Sequence, residues 1–256
     1  MELNKIYNED CLEGMKRIPD GSIDMILCDL PYGTTACKWD TIIPFEPLWE
    51  QYERIIKDNG AIVLTATQPF TSKLVISNTK LFKHEWIWSK THGGFATAKY
   101  KPLQRHESVL VFGKGKINYY PQKSLVKGKI RDQRKEKSFL TNKVNRSDSP
   151  VNPGTKMKYA KDYEPNKRYP TSIIEFSNRK DKRLHPTQKP VALFEYLIKT
   201  YTNEGETVLD NCMGSGTTAI AAINTNRNYI GFELDEEYYK ASLERIEEHK
   251  KSIDSL

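Results

Sequence analysis

Two short apolar segments and the helical pattern between them constrain the fold most strongly. SIDMILCD (Ser22–Asp29) and AIVLTAT (Ala61–Thr67) have the length of buried strands and are bounded by turn residues. Between them, PFEPLWEQYERIIKDNG repeats apolar side chains at helical spacing and reaches Asn59-Gly60, where we expect the helix to end. A strand, a helix and a second strand in this order predict a β-α-β unit with parallel strands.

The other segments continue the alternation of strands and helices. A short helix is predicted in QPFTSKLVISN, followed by strands in EWIWSK and ESVLVFG. After a long polar segment, a second α/β stretch contains a helix in KPVALFEYLIKTYTNEG, a strand in TVLDNC, a glycine loop, a helix from about Thr217, a strand in NYIGFELD and a charged C-terminal helix. Because neither stretch is large enough for a good sheet alone, we expect both to join one α/β sheet.

Positive charge is concentrated in one internal segment. The 256-residue chain carries a net charge of +7, yet residues 114–183 hold 20 lysines and arginines against 7 acids, a net +13 that leaves −6 on the rest. Such a concentration indicates a polyanionic partner, and a solvated loop without a partner is the alternative. Within the segment, KINYY and RDQRKEK are candidate contacts with that partner.

Three classes of protein are disfavoured by the sequence. The four cysteines show no CxxC spacing and MELNKIYNED lacks the apolar core of a secretory signal, which predicts a reduced, cytoplasmic protein. The five histidines form no pair at metal-ligand spacing, so no metal site is predicted. No apolar segment approaches the roughly 20 residues that cross a bilayer, so no membrane association is expected.

The segment VLDNCMGSGTTAIAA has the pattern of a loop that binds a nucleoside. A strand ends at Asp210, a turn with Gly214 and Gly216 follows, and a helix begins near Thr217. Glycines let the backbone approach a ligand, and the free N–H groups of the helix start favour an anionic group. Glu233 ends the next strand, where a carboxylate can accept both hydroxyl protons of a ribose.

The kind of nucleoside is less constrained by this loop. GSGTTA also matches the relaxed dinucleotide pattern G-x-G-x-x-G/A, so an NAD-dependent oxidoreductase is one alternative, and a turn needed only for packing is another. Asp210 argues against a dinucleotide because its carboxylate would repel a pyrophosphate. The same carboxylate can accept a hydrogen bond from the ammonium group of an amino-acid-bearing nucleoside.

The tetrapeptide DLPY, Asp29 to Tyr32, follows the first predicted strand at the edge where parallel strands place ligands. Pro31 stiffens the turn and has no N–H to donate. A carboxylate oxygen and a backbone carbonyl together accept both protons of an exocyclic amine, and Tyr32 offers a ring face to a planar base. The motif therefore indicates a site for an amine on an aromatic ring, with a strand end that packs Tyr32 in the core as the alternative.

These motifs resemble those of the beta-class amino-methylating DNA methyltransferases, which use S-adenosylmethionine. DLPY is similar to their Asp-Pro-Pro-Tyr catalytic motif, DNCMGSGT to their cofactor loop, and HPTQKP to the segment before that loop. The motif order is that of the beta class, and the resemblance covers about residues 6–113 and 184–239. Leu30 departs from the family pattern, because it replaces the first proline, keeps the carbonyl, adds an N–H and loosens the turn.

The resemblance implies a Rossmann-like, mostly parallel α/β sheet with a terminal antiparallel strand and an inserted basic target-recognition region. Residues 1–113 are expected to form the catalytic half of the core, 114–183 the insertion and 184–256 the cofactor-binding half. Double-stranded DNA is the implied partner, and the family allows a homodimer. Lys38, Trp39 and Asp40, in the loop after the catalytic turn, could close over DNA or cofactor, and Trp39 is equally plausible as a core anchor.

The resemblance also implies a role for each matching residue. Asp29 and the Leu30 carbonyl would hold the target amine, Pro31 would shape the turn and Tyr32 would stack on the flipped base. Asp10 would contact the adenine of the cofactor, although it is nearly as well placed to cap the helix in CLEGMKRI. The cofactor site implied in this way comprises Asp10, Cys11, Asp29, Lys189, Asp210, Cys212, Gly214, Ser215, Gly216, Thr217 and Glu233, with Lys189 near the cofactor carboxylate and Glu233 on its ribose.

The implied reaction is direct in-line methyl transfer from S-adenosylmethionine to the N6 amine of adenine, after base flipping and without a covalent intermediate. Methylation of the N4 amine of cytosine uses the same geometry and is the alternative, although Asp at the first motif position favours adenine. An RNA substrate is disfavoured by the basic insertion. An inactive DNA-binding module with a methyltransferase fold is a further alternative, because of Leu30.

Overall fold

The computed structural model describes residues 1–33, 40–93, 98–126, 164–178 and 188–255. Lys38, Trp39, the RDQRKEK segment and the first three residues of HPTQKP lie outside this part of the chain. The strands are β1 (Lys5–Tyr7), β2 (Ile23–Cys28), β3 (Ile56–Ala66), β4 (Phe82–Ser89), β5 (His106–Phe112), β6 (Ser124–Leu125), β7 (Lys167–Arg168), β8 (Ile173–Glu175), β9 (Thr207–Asp210) and β10 (Asn228–Phe232). The helices are α1 (Cys11–Met15), α2 (Phe45–Ile55), α3 (Phe70–Ser77), α4 (Val191–Tyr201), α5 (Thr217–Asn224) and α6 (Glu236–Asp254).

Within the described residues, eight strands form one mixed sheet in the order β1-β10-β9-β2-β3-β5-β4-β8. Neighbouring strands are parallel except at β5, which runs antiparallel to both β3 and β4. The predicted α/β class and mostly parallel sheet are confirmed. The antiparallel strand is interior and not terminal, however, because β4 pairs with the outer side of β5 and β8 adds the edge.

The sheet is covered on both faces, which explains the continuous apolar sequence of β2. Met25 and Leu27 belong to one hydrophobic cluster, together with side chains of α4 and α5. Ile26 and Cys28 belong to the other cluster, with side chains of α2. Because successive side chains of a strand point to opposite faces, a strand buried on both faces has no polar alternation.

Helix α2 ends earlier than predicted, so the expected end at Asn59-Gly60 was wrong. Ile56 already has extended dihedral angles, and β3 begins there. Its partner in the parallel ladder is Ile23 of β2. Helical periodicity continues past the true end in the sequence, but strand pairing with β2 holds these residues in the extended conformation.

The chain divides into two compact units, Met1–Tyr120 with Thr171–Leu256, and Pro121–Pro170. The second unit contains the antiparallel pair β6 and β7, and Glu164 within it pairs with Lys123 and Lys167. The predicted insertion, 114–183, is wider than this unit because β8 pairs with β4 in the main sheet. No helix within the described residues is both long and apolar enough to cross a membrane.

Candidate active site

A cavity of about 1030 Å³ lies at the carboxyl ends of the central strands. The segments after β2 and β9 contribute about half of its lining residues, and these two strands are neighbours in the sheet. The strand order reverses between them, since β3 follows β2 on one side and β10 follows β9 on the other. Such a reversal opens a crevice where α/β proteins bind ligands. Of the predicted site residues, the cavity is lined by Asp10, Cys11, Asp29, Leu30, Pro31, Tyr32, Lys189, Asp210, Cys212, Gly214, Ser215, Thr217 and Glu233.

Three donors among the described residues hold the Asp29 carboxylate. Its Oδ1 accepts hydrogen bonds from the Tyr32 hydroxyl at 2.7 Å and from the Thr65 hydroxyl. Its Oδ2 accepts from the Lys189 ammonium at 2.6 Å. The Asp29 side chain is 22% exposed, so it faces the cavity while its position is fixed from behind.

The Tyr32 ring is also held in place. It stacks on Phe70, with ring centroids 5.1 Å apart and an angle of 30° between the planes. Burial raises the pKa of the Tyr32 hydroxyl, and the neighbouring Asp29 charge raises it further. The hydroxyl therefore stays protonated and keeps donating to Asp29.

Lys189 forms ion pairs with Asp29 and Glu107. The carboxylate of the cofactor, its predicted partner, would have to compete with these two acids for the ammonium group. The distances from Lys189 Nζ are 2.6 Å to Asp29 Oδ2 and 3.4 Å to Glu107 Oε2, and the lysine side chain is only 6% exposed. Burial opposes the ammonium charge, but the attraction of Asp29 and Glu107 outweighs it and raises the pKa of Lys189. A second lysine, Lys90, pairs with Glu107. The result is a chain of four alternating charges along the cavity wall.

Three contributors to this network were missed by the sequence analysis. Glu107 begins the apolar strand segment ESVLVFG, Lys90 is the last residue of EWIWSK, and Thr65 is a buried hydroxyl near the end of β3. A single charged residue at the end of an apolar strand was the available signal for Glu107 and Lys90. Thr65 offered no signal, because threonine is common in strands.

Glu233 is anchored to the glycine loop. Its Oε2 accepts from the Gly214 N–H at 2.7 Å and its Oε1 from the Asp235 N–H at 2.9 Å. Burial is the main cause of its raised pKa. Gly214 has a φ of +53°, a conformation that favours glycine, and lies in the cavity wall. The carboxylate and the loop are thus held together at one end of the cavity.

Gly216 is the predicted cofactor residue that does not line the cavity within the described chain. It has a φ of +78° and occupies the N-cap position of α5. A Cβ built there would lie 3.3 Å from the Ser242 Cβ of α6. Arg245 of α6, also missed by the sequence analysis, donates to the Ser215 carbonyl at 2.8 Å and to the Thr217 hydroxyl at 3.2 Å. Helix α6 therefore supports the loop from behind.

Asp10 both caps a helix and lines the cavity. Its Oδ1 accepts from the N–H groups of Leu12 at 2.8 Å and Glu13 at 3.3 Å, which is the N-cap arrangement of α1. The neighbouring Cys11 is buried, and the pKa of its thiol is raised by a hydrogen bond with Cys212 and by burial. Both thiols stay protonated. Among the described residues, no group of three or more His, Cys, Asp or Glu side chains is arranged to hold a metal ion.

Comparison with known protein families decides the class of this site. The family model described as DNA methylase matches residues 23–244, which include both the DLPY and the glycine-loop segments. The chain belongs to this DNA methylase family. It is therefore an enzyme. The family is that of the beta-class DNA amino-methyltransferases, which methylate either the N6 amine of adenine or the N4 amine of cytosine.

Curated relatives match this DNA methylase over nearly its whole length. The type II methyltransferase M.HpaI of Haemophilus parainfluenzae is 28% identical over 98% of this chain and 77% of its own. The DNA adenine methyltransferase YhdJ of Escherichia coli (strain K12) is 31% identical over 96% of this chain and 83% of its own.

Solved structures share the fold of the methylase. The crystal structure of the M1.HpyAVI–SAM complex matches with a TM-score of 0.60 at 24% identity, covering 94% of this chain and 98% of that one. The PvuII DNA methyltransferase, named as cytosine-N4-specific, matches with a TM-score of 0.62 at 16% identity, covering 93% and 84%. At these identities the likeness concerns the fold alone.

The buried carboxyl group of Asp210 makes the stability of the methylase depend on pH. It accepts from the Thr218 hydroxyl and from the Cys212 N–H at 3.0 Å, yet burial raises its pKa to about 6 from an ordinary 3.8. Between these pH values the native state holds a proton that the unfolded chain has lost, so stability falls as pH rises and levels off above about pH 6. Above about pH 6 the ionised carboxyl group lowers the free energy of unfolding by about 3 kcal/mol, because each unit of pKa shift corresponds to about 1.4 kcal/mol.

Asp210→Asn removes this charge and is expected to raise the free energy of unfolding by about 1–3 kcal/mol at pH 7.5, with little gain at pH 4. Urea unfolding of both proteins across this pH range measures the difference. A gain of equal size at both pH values would show that the carboxylate charge is not its cause.

Proposed function

We propose that this methylase transfers a methyl group from S-adenosylmethionine to the N6 amine of adenine in double-stranded DNA. The observation that carries the proposal is the placement of Asp29. Its carboxylate, fixed by three donors, faces the same cavity as the glycine loop and Glu233. An acceptor for an amine and a site for a nucleoside thus share one crevice.

The chemistry of the donor set fits S-adenosylmethionine. Glu233 would accept the ribose hydroxyl protons, Asp210 would accept from the ammonium group, and the Gly214 segment would lie against the methionine portion. Asp10 and Cys11 line the part of the wall assigned to the adenine. The cavity volume of about 1030 Å³ lies at the upper end of the usual range for a ligand site, and we propose that a cofactor and a base enter it together. The bound cofactor supplies an electrophilic methyl group on a sulfonium.

Hydrogen-bond acceptors of the site would make the target amine reactive. The lone pair of an aromatic amine is delocalised into its ring, and accepting both N–H protons localises it on the nitrogen. Asp29 and the Leu30 carbonyl would accept hydrogen bonds from these two N–H groups, and the carboxylate would take the one proton that the nitrogen loses when the methyl group leaves the sulfur. Among donors in the described residues, Oδ2 of Asp29 binds only Lys189, which leaves it one acceptor position. The raised pKa values of Cys11 and Cys212 support a route without a thiolate nucleophile.

The target base must leave the duplex to reach Asp29, because base pairing hides its amine. One face of the Tyr32 ring stacks on Phe70. A flipped base would stack on the ring from the cavity side and offset part of the cost of unstacking.

Leu30 does not argue for an inactive protein. Its side chain is 3% exposed and packs in the hydrophobic cluster that contains α2. Core packing therefore holds the turn before Pro31, in the position where the family has another proline. Leu30 lines the cavity, and its backbone carbonyl would be the second acceptor for the target amine.

Adenine is favoured over cytosine because one relative, YhdJ, is named a DNA adenine methyltransferase. N4-cytosine methylation is the second candidate, since the cytosine-N4-specific PvuII enzyme has the same fold. We place recognition of duplex DNA in the basic insertion 114–183 and the two halves of the core in residues 1–113 and 184–256. The cytoplasmic location and the possible homodimer stay predictions.

The proposal is tested by methyl transfer from labelled S-adenosylmethionine to unmethylated genomic DNA, followed by digestion to nucleosides. We expect the label in 6-methyladenine. Label in 4-methylcytosine would replace the target base and keep the mechanism. Label only on RNA, or on neither nucleic acid although S-adenosylhomocysteine raises the melting temperature, would overturn the proposal.

Thr65→Val tests whether the fixed position of Asp29 matters. The change removes a hydroxyl that donates to Asp29 Oδ1 in a fully buried position. Since a hydrogen bond to a charged group contributes about 1.5–3 kcal/mol, we expect kcat to fall about 10- to 100-fold while cofactor affinity is retained. Thr65→Ser, which keeps the hydroxyl, should restore most of the rate. Equal losses in both variants would show that packing at Thr65, and not its hydroxyl, is responsible.

A further inference from the structure

We propose that the connection between β4 and β5 is a second DNA-contacting element of this methylase, separate from the basic insertion. The inference rests on the proposed function, because it names a further surface for the same DNA. Its described part comprises Lys90–Gly93 and Ala98–Arg105.

The topology places this connection at the edge of the sheet that holds the active site. Strands β2, β3 and β4 run in the same direction, so Ser89 and Asp29 both lie at the carboxyl ends of these strands. Antiparallel β5 begins at that edge. The connection therefore leaves and re-enters the sheet beside the cavity.

The ends of the connection are tied to the cavity rim. The Lys90 N–H donates to the Arg105 carbonyl at 2.8 Å. The Asn178 Oδ1 accepts from the Thr91 hydroxyl at 2.8 Å and from the His92 N–H at 3.1 Å. Both Lys90 and Asn178 line the cavity. A base that enters the cavity thus passes beside this segment.

The charge of the connection is of one sign. Between Glu85 and Glu107 the sequence has four basic residues and no acid. The chain outside the basic insertion carries a net negative charge, so these cations stand out from their surroundings. Lys99, Lys101 and Arg105 are exposed and have no ion-pair partner among the described residues. Uncompensated cations beside a base pocket fit the phosphates that flank a flipped nucleotide.

Tyr100 adds an aromatic surface between the two lysines. Its side chain is 88% exposed, the highest value among the large hydrophobic residues of the described chain. An aromatic ring between cations is the combination that binds unpaired nucleotides, because the ring stacks on a base and the cations hold the backbone. A base that has lost its partner by flipping offers such a stacking face.

The test compares Lys99→Gln/Lys101→Gln with Lys80→Gln/Lys83→Gln. The control removes the same charge near the opposite end of β4, where both lysines are also exposed. Binding of unmethylated genomic DNA fragments is measured between 50 and 200 mM salt (about the range over which phosphate contacts are lost) with S-adenosylhomocysteine present. Wild-type methyl transfer is measured on the same DNA, and Tyr100→Ala is tested alongside.

We expect the Lys99/Lys101 variant to bind DNA about tenfold more weakly, with a salt dependence reduced by about two phosphate contacts, and the control to match the wild type. Tyr100→Ala should also bind about tenfold more weakly, and cofactor binding should be unchanged throughout. If the wild type methylates DNA and the Lys99/Lys101 variant binds it equally well, the inference is wrong and the proposed function stands. If the wild type neither binds nor methylates DNA, the proposed function fails, and the inference falls with it.

Discussion

Asp29→Ala is expected to lower kcat for methyl transfer by about 10²- to 10³-fold while cofactor affinity is retained. The carboxylate is the charged acceptor proposed for the target amine, and losing one preorganised charged group of an active site costs about 10²–10³ in rate. Loss of the carboxylate also frees the donors Tyr32, Thr65 and Lys189, so the shape of the pocket changes as well. Single-turnover transfer of labelled methyl groups measures the rate, and thermal shift with S-adenosylhomocysteine measures cofactor binding.

Asp24→Asn is the matched control for this variant. Asp24 is a buried acid within β2, and it pairs with Lys57 and accepts from the Thr207 N–H at 3.0 Å, away from the cavity lining. Its loss should lower stability and leave the rate per folded molecule near that of the wild type. An Asp29→Ala enzyme that keeps a tenth of the wild-type rate would move the acceptor role to another group.

Lys189→Met is expected to lower the free energy of unfolding by about 3–5 kcal/mol, the usual cost of removing one partner from a buried ion pair. Methionine is similar in length to the lysine stem, so the loss arises from charge and not from a cavity. Asp29 and Glu107 would be left facing each other without the ammonium between them. Urea unfolding at neutral pH measures the change.

The double variant Lys189→Met/Glu107→Gln separates charge from packing. With Glu107 neutral, the repulsion between the two carboxylates is gone, and we expect about half of the lost stability to return. Lys90 then loses its ion pair with Glu107, which limits the recovery of stability. If Lys189→Met alone changes the free energy of unfolding by less than about 1 kcal/mol, the size of a surface ion pair, water replaces the ammonium in this network.

Local patterns were enough to predict most elements of the sheet and the two ends of the site. Apolar segments of strand length predicted β2, β3, β9 and β10, because a strand that is buried on both faces has apolar residues at consecutive positions. DLPY and the glycine loop could be placed at strand ends for the same reason. The connectivity of parallel strands then put both motifs at one edge of the sheet, where the structure has its large cavity.

Other features depended on contacts between distant parts of the chain. The antiparallel β5 was predicted as a strand, but its interior position follows from pairing with both β3 and β4. The end of α2 was set by the pairing of Ile56 with Ile23, against a helical pattern that continued further. Gly216 satisfied the cofactor-loop pattern, yet packing beside Ser242 accounts for its position.

What the sequence by itself determined was the set of elements, the family motifs and the sheet edge that carries the site, because these depend on short-range spacing and connectivity. Only the tertiary structure decided which charges meet. Asp29 and Lys189 are 160 positions apart in the chain, and Glu107 joins them from a strand whose sequence pattern is apolar. Ion pairing depends on distances of a few ångströms between folded elements, and no pattern of neighbouring residues encodes those distances.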